Sequence, residues 1–369
     1  MAKSTRNMSQ EERIAYRKKK RLMRKIQVYS EISAIALAVI IVAGLIISHI
    51  NSSDKTLTVV AEEEVATTGD TNEKTGLKVS SDVSTDYEDE EQVDAVSDSS
   101  GYSATESNDV AEITSEVVSE YAILINNDTK EVVATKNAYE RIVPASMTKV
   151  MTILTAAHHL SDEQLNEVVV MSQEAINYSY SGGGSTSGFV EDEEVTVRDL
   201  FYGTILPSGG DAAAQLAMYV AGDIDSFVKL MNEEVSSLGL NDTQFANPVG
   251  FHDSNNYTTP YDMAIIMMAA MDNDLCKEVL TTKVYNSTAT NVNPEGITIS
   301  NWFLRRIEDK DIGGTIGGAK TGYVDESGSC AVSTMTKEDG TEYICCTAKS
   351  SSSWRCIYDH VDIYKNYTE

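Results

Sequence analysis

Residues 32–50, ISAIALAVIIVAGLIISHI, form a run of nineteen residues with no Asp, Glu, Lys or Arg. No other feature limits the chain as strongly. As a helix at about 1.5 Å per residue the run reaches roughly 28 Å, close to the hydrocarbon thickness of a bilayer. It follows a basic tail. Ten Lys or Arg stand against Glu11 and Glu12 between Met1 and Lys25, a net of +8. Positive charge before the span and acidic sequence after it place the N-terminus in the cytoplasm. A cleaved signal peptide would have a shorter apolar stretch and a small-x-small site behind it. Here Ser48-His49-Ile50-Asn51 offers no such site. The expectation is a basic cytoplasmic tail over 1–31 and an uncleaved transmembrane signal-anchor over 32–50. The chain is then single-pass, with a lipid bilayer as one partner and everything beyond residue 50 outside the cytoplasm.

The whole chain carries −28, so removing the +8 of the tail leaves −36 on the remainder. A body this acidic repels phosphate backbones, which excludes nucleic acid as a partner. Residues 51–116 are rich in Ser, Thr, Asp and Glu and contain TDYEDEEQVDAVSDSS. Such a stretch buries too little apolar surface to offset chain entropy, so 51–116 is predicted to be an acidic disordered linker.

The pattern changes in 117–369. Tyr121–Ile125 and Val132–Ala134, separated by Asn126-Asn127-Asp128, predict a hairpin. Helical periodicity follows over 146–160, 197–206, 211–220, 224–238 and 260–271. Strands are predicted over 328–336 and 342–348, and a last helix over 354–364. Strands at both ends with helices between them predict one sheet, closed by N- and C-terminal strands, on a helical subdomain. The methionines 263, 267, 268 and 271 read as helix core. Cys276, Cys330, Cys345, Cys346 and Cys356 form neither a disulfide framework nor a metal-type spacing, and they read as small core residues, with one disulfide left open. The histidines are not ligand-spaced, so neither a metal nor a cofactor is implied.

Ser146-Met147-Thr148-Lys149 stands just after Pro144, at the head of an apolar-periodic helix. Ser and Lys three residues apart share a helix face, so the amine reaches the hydroxyl. A serine needs a base to become a nucleophile, and a lysine serves only if burial or nearby positive charge depresses its pKa. The helix N-terminus adds backbone N–H groups suited to an oxyanion. Alone, such a spacing also fits a capping Ser and a solvated Lys. Two further elements join it. Pro207-Ser208-Gly209-Gly210 places a Ser on a turn between helices, and Lys320-Thr321-Gly322-Tyr323 lies on a predicted strand whose small residues admit a substrate backbone.

These three elements, in this order, resemble the S-x-x-K, S-x-N and K-T-G motifs of the penicillin-binding-protein and serine β-lactamase superfamily. The segments PASMTKVMT (144–152), GSTSGF (184–189), VTVRDL (195–200), FANPVGF (245–251) and YTTPYDMA (257–264) sharpen the resemblance to the low-molecular-mass D-alanyl-D-alanine carboxypeptidases, from about Tyr121 onward. The resemblance implies an α/β (α+β) fold, an antiparallel sheet with flanking helices and a helical subdomain. It also implies a peptidoglycan stem peptide ending in D-Ala-D-Ala as substrate and β-lactams as covalent inhibitors. By the same resemblance Ser146 is the nucleophile, Lys149 its base, and Ser208 a proton relay to the leaving amine. Lys320 supplies positive potential, Thr321 holds the substrate carboxylate, and the N–H groups of Ser146 and Tyr323 form the oxyanion hole. Arg355 falls where the family often carries an Arg near that carboxylate.

One departure stands out. The second motif usually ends in Asn, which contacts the substrate amide and the active-site lysine, and here that position is Gly210. Loss of one such bond is worth about 1–3 kcal/mol, or one to two decades in rate. Two alternatives follow: a weakly active or inactive penicillin-binding wall sensor, suggested by Gly210, and a β-lactamase. The latter needs a water-activating Glu, and Glu163-Gln164-Leu165-Asn166 precedes Ser208 where the β-lactamase element follows it.

Overall fold

The computed structural model describes residues 101–368. The predicted tail, membrane span and most of the predicted linker lie outside these residues. No helix among the described residues is long and apolar enough to cross a membrane.

A six-stranded sheet runs in the order β1-β3-β2-β10-β9-β8. Its strands are β1 (Thr105–Glu112), β2 (Tyr121–Asn126), β3 (Glu131–Lys136), β8 (Gly314–Val324), β9 (Gly328–Lys337) and β10 (Glu342–Ser350). All neighbours are antiparallel except β1 and β3. Between β3 and β8 the chain makes α1 (Thr148–His158), α2 (Gln173–Ser181), α3 (Val197–Ile205), α4 (Gly210–Ala221), α5 (Ile224–Ser237), α6 (Pro260–Asp272), α7 (Asp274–Thr281) and α8 (Leu304–Ile307). Two small hairpins lie among them, β4 (Val168–Val170) with β5 (Glu194–Thr196), and β6 (Val284–Asn286) with β7 (Thr298–Ser300). The last helix is α9 (Ser353–Tyr367).

Strand alternation divides the core into two layers. On one face Ile123, Ile125, Val332, Ile344 and Cys346 pack with α1, α3 and α6; on the other Ala122, Leu124, Ala331, Cys345 and Met335 pack with Phe303 and α9. The adjacent Cys345 and Cys346 thus face opposite layers, and all five cysteines are free and buried. Helix α6 is apolar all round, as a central helix must be, and Met263, Met267 and Met268 lie fully inside. Every residue of α1 from Thr148 to Ala156 is also buried, so the Ser-x-x-Lys element stands on a helix sheathed on all sides. Helix starts are fixed by side chains. Thr196 and Asp199 form a capping box on α3, Thr259 caps α6 through Asp262 N–H, and Ser352 caps α9 through Arg355 N–H.

The predicted linker ends too late. Residues 105–112, assigned to it, form β1, paired in parallel with β3. Ile113 is buried with its N–H on Thr135 O, and Tyr261 Oη bonds both the N–H and the carbonyl of Ala104. Acidic residues on an edge strand are the usual protection against further pairing, and they disguise β1 as linker.

Candidate active site

Ser146 lies in a single tight turn, Ala145–Met147, that leads into α1. Ala145 holds φ +45°, a left-handed conformation that side chains adopt only under constraint. The constraint comes from two glycines. A Cβ on Gly250 would lie 1.8 Å from Ala145 O, and one on Gly322 would lie 2.9 Å from Ser146 N and 2.8 Å from Cys330 Sγ. Backbone from the 247–251 loop and from β8 therefore presses directly against the turn. Because β8 is the sheet's edge strand, Lys320-Thr321-Gly322 is presented beside Ser146.

Lys149 is 1% exposed, and its Nζ donates to Ser146 Oγ at 2.8 Å and to Val249 O at 2.6 Å. Burial, reinforced by the charge of Lys320, holds its pKa well below the ordinary lysine value, against an opposing pull from Asp211. Lys320, 2% exposed, donates to Ser208 Oγ at 2.9 Å and to Thr321 O at 2.7 Å, and burial lowers its pKa to about 7. Ser208, between α3 and α4, holds φ +62°. Its turn is pinned by Gly209 N–H on Gly203 O and Gly210 N–H on Ser185 O, at 2.9 and 2.8 Å. Asp211, buried, accepts from Ser187 N–H and Thr186 Oγ1, which ties the 185–188 segment to the same turn.

Of the predicted site residues, the structure brings together Ser146, Lys149, Ser208, Lys320 and Gly322, with Thr321 and Tyr323 following on the same strand. Tyr323 is 61% exposed. Arg355 departs from the expectation. It stands on α9, in the layer across the sheet from α1, and its guanidinium donates to Asp359, Asp362 and Glu116 O. With two carboxylates on it, this side chain clamps α9 to the segment before β2. Gly210 is buried as the first residue of α4, and a Cβ there would meet Ser179 Oγ and Val249 Cγ1, each at 2.7 Å. The place a larger side chain would take is filled from α2 and from the 247–251 loop. Glu163 is exposed at a short turn, and no group of His, Cys, Asp and Glu fit to hold a metal occurs among the described residues.

The FANPVGF segment, 245–251, supplies a contact that its residue types do not announce. Asn247 Oδ1 accepts from the N–H groups of Val249, Gly250 and Phe251 at 3.2, 2.7 and 3.0 Å, and this fold of the loop aims the Val249 carbonyl at Lys149. A main-chain acceptor leaves no residue-type signal; only the Asn-Pro-x-Gly turn chemistry could have hinted at it.

A family model described as D-alanyl-D-alanine carboxypeptidase matches residues 104–349. The chain is 34% identical over 218 residues to D-alanyl-D-alanine carboxypeptidase DacF of Bacillus subtilis, covering 58% of this chain and 54% of that protein. It therefore spans about half the length of that relative. To the D-alanyl-D-alanine carboxypeptidase of Streptomyces sp. strain K15 it is 31% identical over 242 residues, 63% of this chain and 81% of that one. The crystal structure of the Streptomyces K15 DD-transpeptidase superposes with a TM-score of 0.62 at 29% identity, covering 69% of this chain and 99% of the other. A family model that takes in more than half of the chain, together with a matching fold, makes it a member of the D-alanyl-D-alanine carboxypeptidase family.

Proposed function

We propose that the protein is a serine-type D-alanyl-D-alanine carboxypeptidase that removes the terminal D-alanine from peptidoglycan stem peptides through an acyl-enzyme on Ser146. The observation that carries this reading is the wholly buried Lys149 amine 2.8 Å from Ser146 Oγ. Burial, with the charge of Lys320 beside it, shifts this amine toward its neutral form, and in that form it can accept the Ser146 O–H proton. Oγ attacks the carbonyl carbon between the two D-alanines as its proton passes to Lys149. The oxyanion is met by the Ser146 and Tyr323 N–H groups, each such donor being worth about 3–4 kcal/mol of barrier. Collapse breaks the C–N bond, and Ser208 relays the proton to the leaving amine. Water then hydrolyses the ester. Lys320 and Thr321 hold the terminal carboxylate, and a β-lactam enters by the same attack and stays as an ester on Ser146.

The anchor belongs to the same proposal. Residues 32–50 span the cell membrane with the N-terminus in the cytoplasm, and an acidic linker carries the catalytic unit outside. The name of the matching Streptomyces K15 structure, DD-transpeptidase, supports amines as alternative acceptors for the acyl group. Release of D-alanine from a diacylated Lys-D-Ala-D-Ala peptide, compared between the parent and Ser146→Ala, tests the activity. Acylation by penicillin without peptide turnover would favour the wall-sensor reading.

A further inference from the structure

Position 210 offers Lys149 no side chain, because Gly210 has none and its surroundings admit none. Besides Ser146, the acceptor that Lys149 Nζ meets is the carbonyl of Val249. Four bonds from one buried amide fix where that carbonyl points. Asn247, 6% exposed, accepts from three successive N–H groups through Oδ1, and its Nδ2 donates to Phe251 O at 3.0 Å. The loop is closed on α1 as well, through Thr152 Oγ1 on Pro248 O at 2.7 Å. Gly250 at φ +88° lies against Ala145 O, and Val249 Cγ1 fills the space beside Gly210. One loop thus touches the nucleophile's turn, the lysine and the vacant position of the second motif.

We infer that Asn247 is a positioning residue for the acylation step: by folding the 247–251 loop it sets the Val249 carbonyl that orients the Lys149 amine toward Ser146, a task no side chain at position 210 performs. The inference rests on the acyl-enzyme reading above. It is a claim about direction as well as distance. A neutral amine that donates one N–H to a fixed carbonyl has fewer directions left for its lone pair, and Ser146 Oγ lies 2.8 Å from that nitrogen. The charged groups that bear on Lys149 are Lys320 from β8 and Asp211 from α4. Neither touches the Asn247 amide, so a change at Asn247 reaches Lys149 through the loop.

The test is the rate of penicillin acylation of the full-length chain across pH, with thermal melting as the check of folding. Labelling of the parent and not of Ser146→Ala comes first; if the parent is not labelled, the acyl-enzyme reading fails, whatever Asn247 does. In a labelled parent background, Asn247→Ala is expected to acylate about 100-fold more slowly. Its acidic limb should move to lower pH, since a carbonyl acceptor favours the ammonium form. Asn247→Asp keeps an oxygen to accept from the three amide N–H groups and is expected to recover most of the rate. A folded Asn247→Ala with the parent's rate and limb overturns the inference. If Asn247→Ala does not fold, Gly210→Ala decides, since its methyl pushes Val249 from the other side. A displaced limb supports the coupling, and an unchanged profile overturns it.

Discussion

Two lysines are buried within one site of an acidic protein, and burial lowers the pKa of both. An ammonium taken from water without a carboxylate partner is costly, so such a group sheds its proton instead. Lys149 is held well below the ordinary lysine pKa, by burial first and the charge of Lys320 second, which favours the amine form that the proposed mechanism uses. Replacing it by Met should cut penicillin acylation by about a thousandfold while leaving the fold intact, as expected for loss of a general base. Acylation rates and a melting curve check this, and a Lys149→Met protein that acylates at the parent's rate contradicts it. Gly322 makes a second residue-scale case. Its missing Cβ would press on Ser146 N and Cys330 Sγ, both under 3 Å away. Gly322→Ala should destabilise by about 1–3 kcal/mol through overpacking and should slow acylation by forcing β8 off the nucleophile's turn. Melting temperature and labelling rate, measured together, separate the two effects.

Helix α9 carries its own pH response. His360 is fully buried, Nδ1 on Ser333 Oγ and Nε2 on Thr347 Oγ1, and burial lowers its pKa from 6.5 to about 4. Between those values the unfolded chain binds a proton that the folded one does not. Stability is therefore whole above pH 6.5 and falls as the pH drops toward 4, by up to about 3 kcal/mol. Denaturant unfolding at pH 7 and pH 4.5 should show that loss, and His360→Gln should flatten it. At the sheet's other edge, a chain begun at Val117 lacks β1 and Ile113, and should lose about 2 kcal/mol from the burial of Ile113 alone. Equal unfolding midpoints for chains beginning at 101 and 117 would show that β1 adds nothing.

These elements also show how far the sequence could be read. The hairpin β2–β3, the strands β9 and β10 and the helices α1, α3, α4, α5, α6 and α9 follow from period and capping, and each lies within a few residues of its predicted place. Strand β1 was hidden by edge-strand polarity. Helix α2, with buried Ala175 and Ser179 in a polar QEAINYSYS, buries too narrow a stripe to stand out. In the site, a juxtaposition set by fixed spacing was legible, and the Lys149 amine does lie 2.8 Å from Ser146 Oγ. The Val249 carbonyl was not, because any residue type can supply a carbonyl and only the loop's fold decides where it points. Arg355 was placed by resemblance alone, and a resemblance in sequence does not say that its guanidinium donates to Asp359, Asp362 and Glu116 O.

For the whole molecule, the acidic charge and the two lysines of the site act at different ranges. Exposed acidic groups farther away than a Debye length, about 8 Å in physiological salt, are screened, whereas the buried lysines feel one another with little screening. Lys320, lowered to about 7, is still partly protonated at neutral pH, so it can offer positive potential to an anionic carboxylate despite the net charge of −28. If residues 32–50 anchor the chain, deleting 1–50 should move the protein from the membrane fraction to the soluble fraction without changing penicillin labelling, a split that fractionation and labelling read directly. The central claim is that Ser146 releases D-alanine. Its most direct test is D-alanine release from a diacylated Lys-D-Ala-D-Ala peptide by the purified full-length chain and by Ser146→Ala. The account predicts steady release by the parent and none by the variant. Equal release by both, or none by a folded parent, would contradict it.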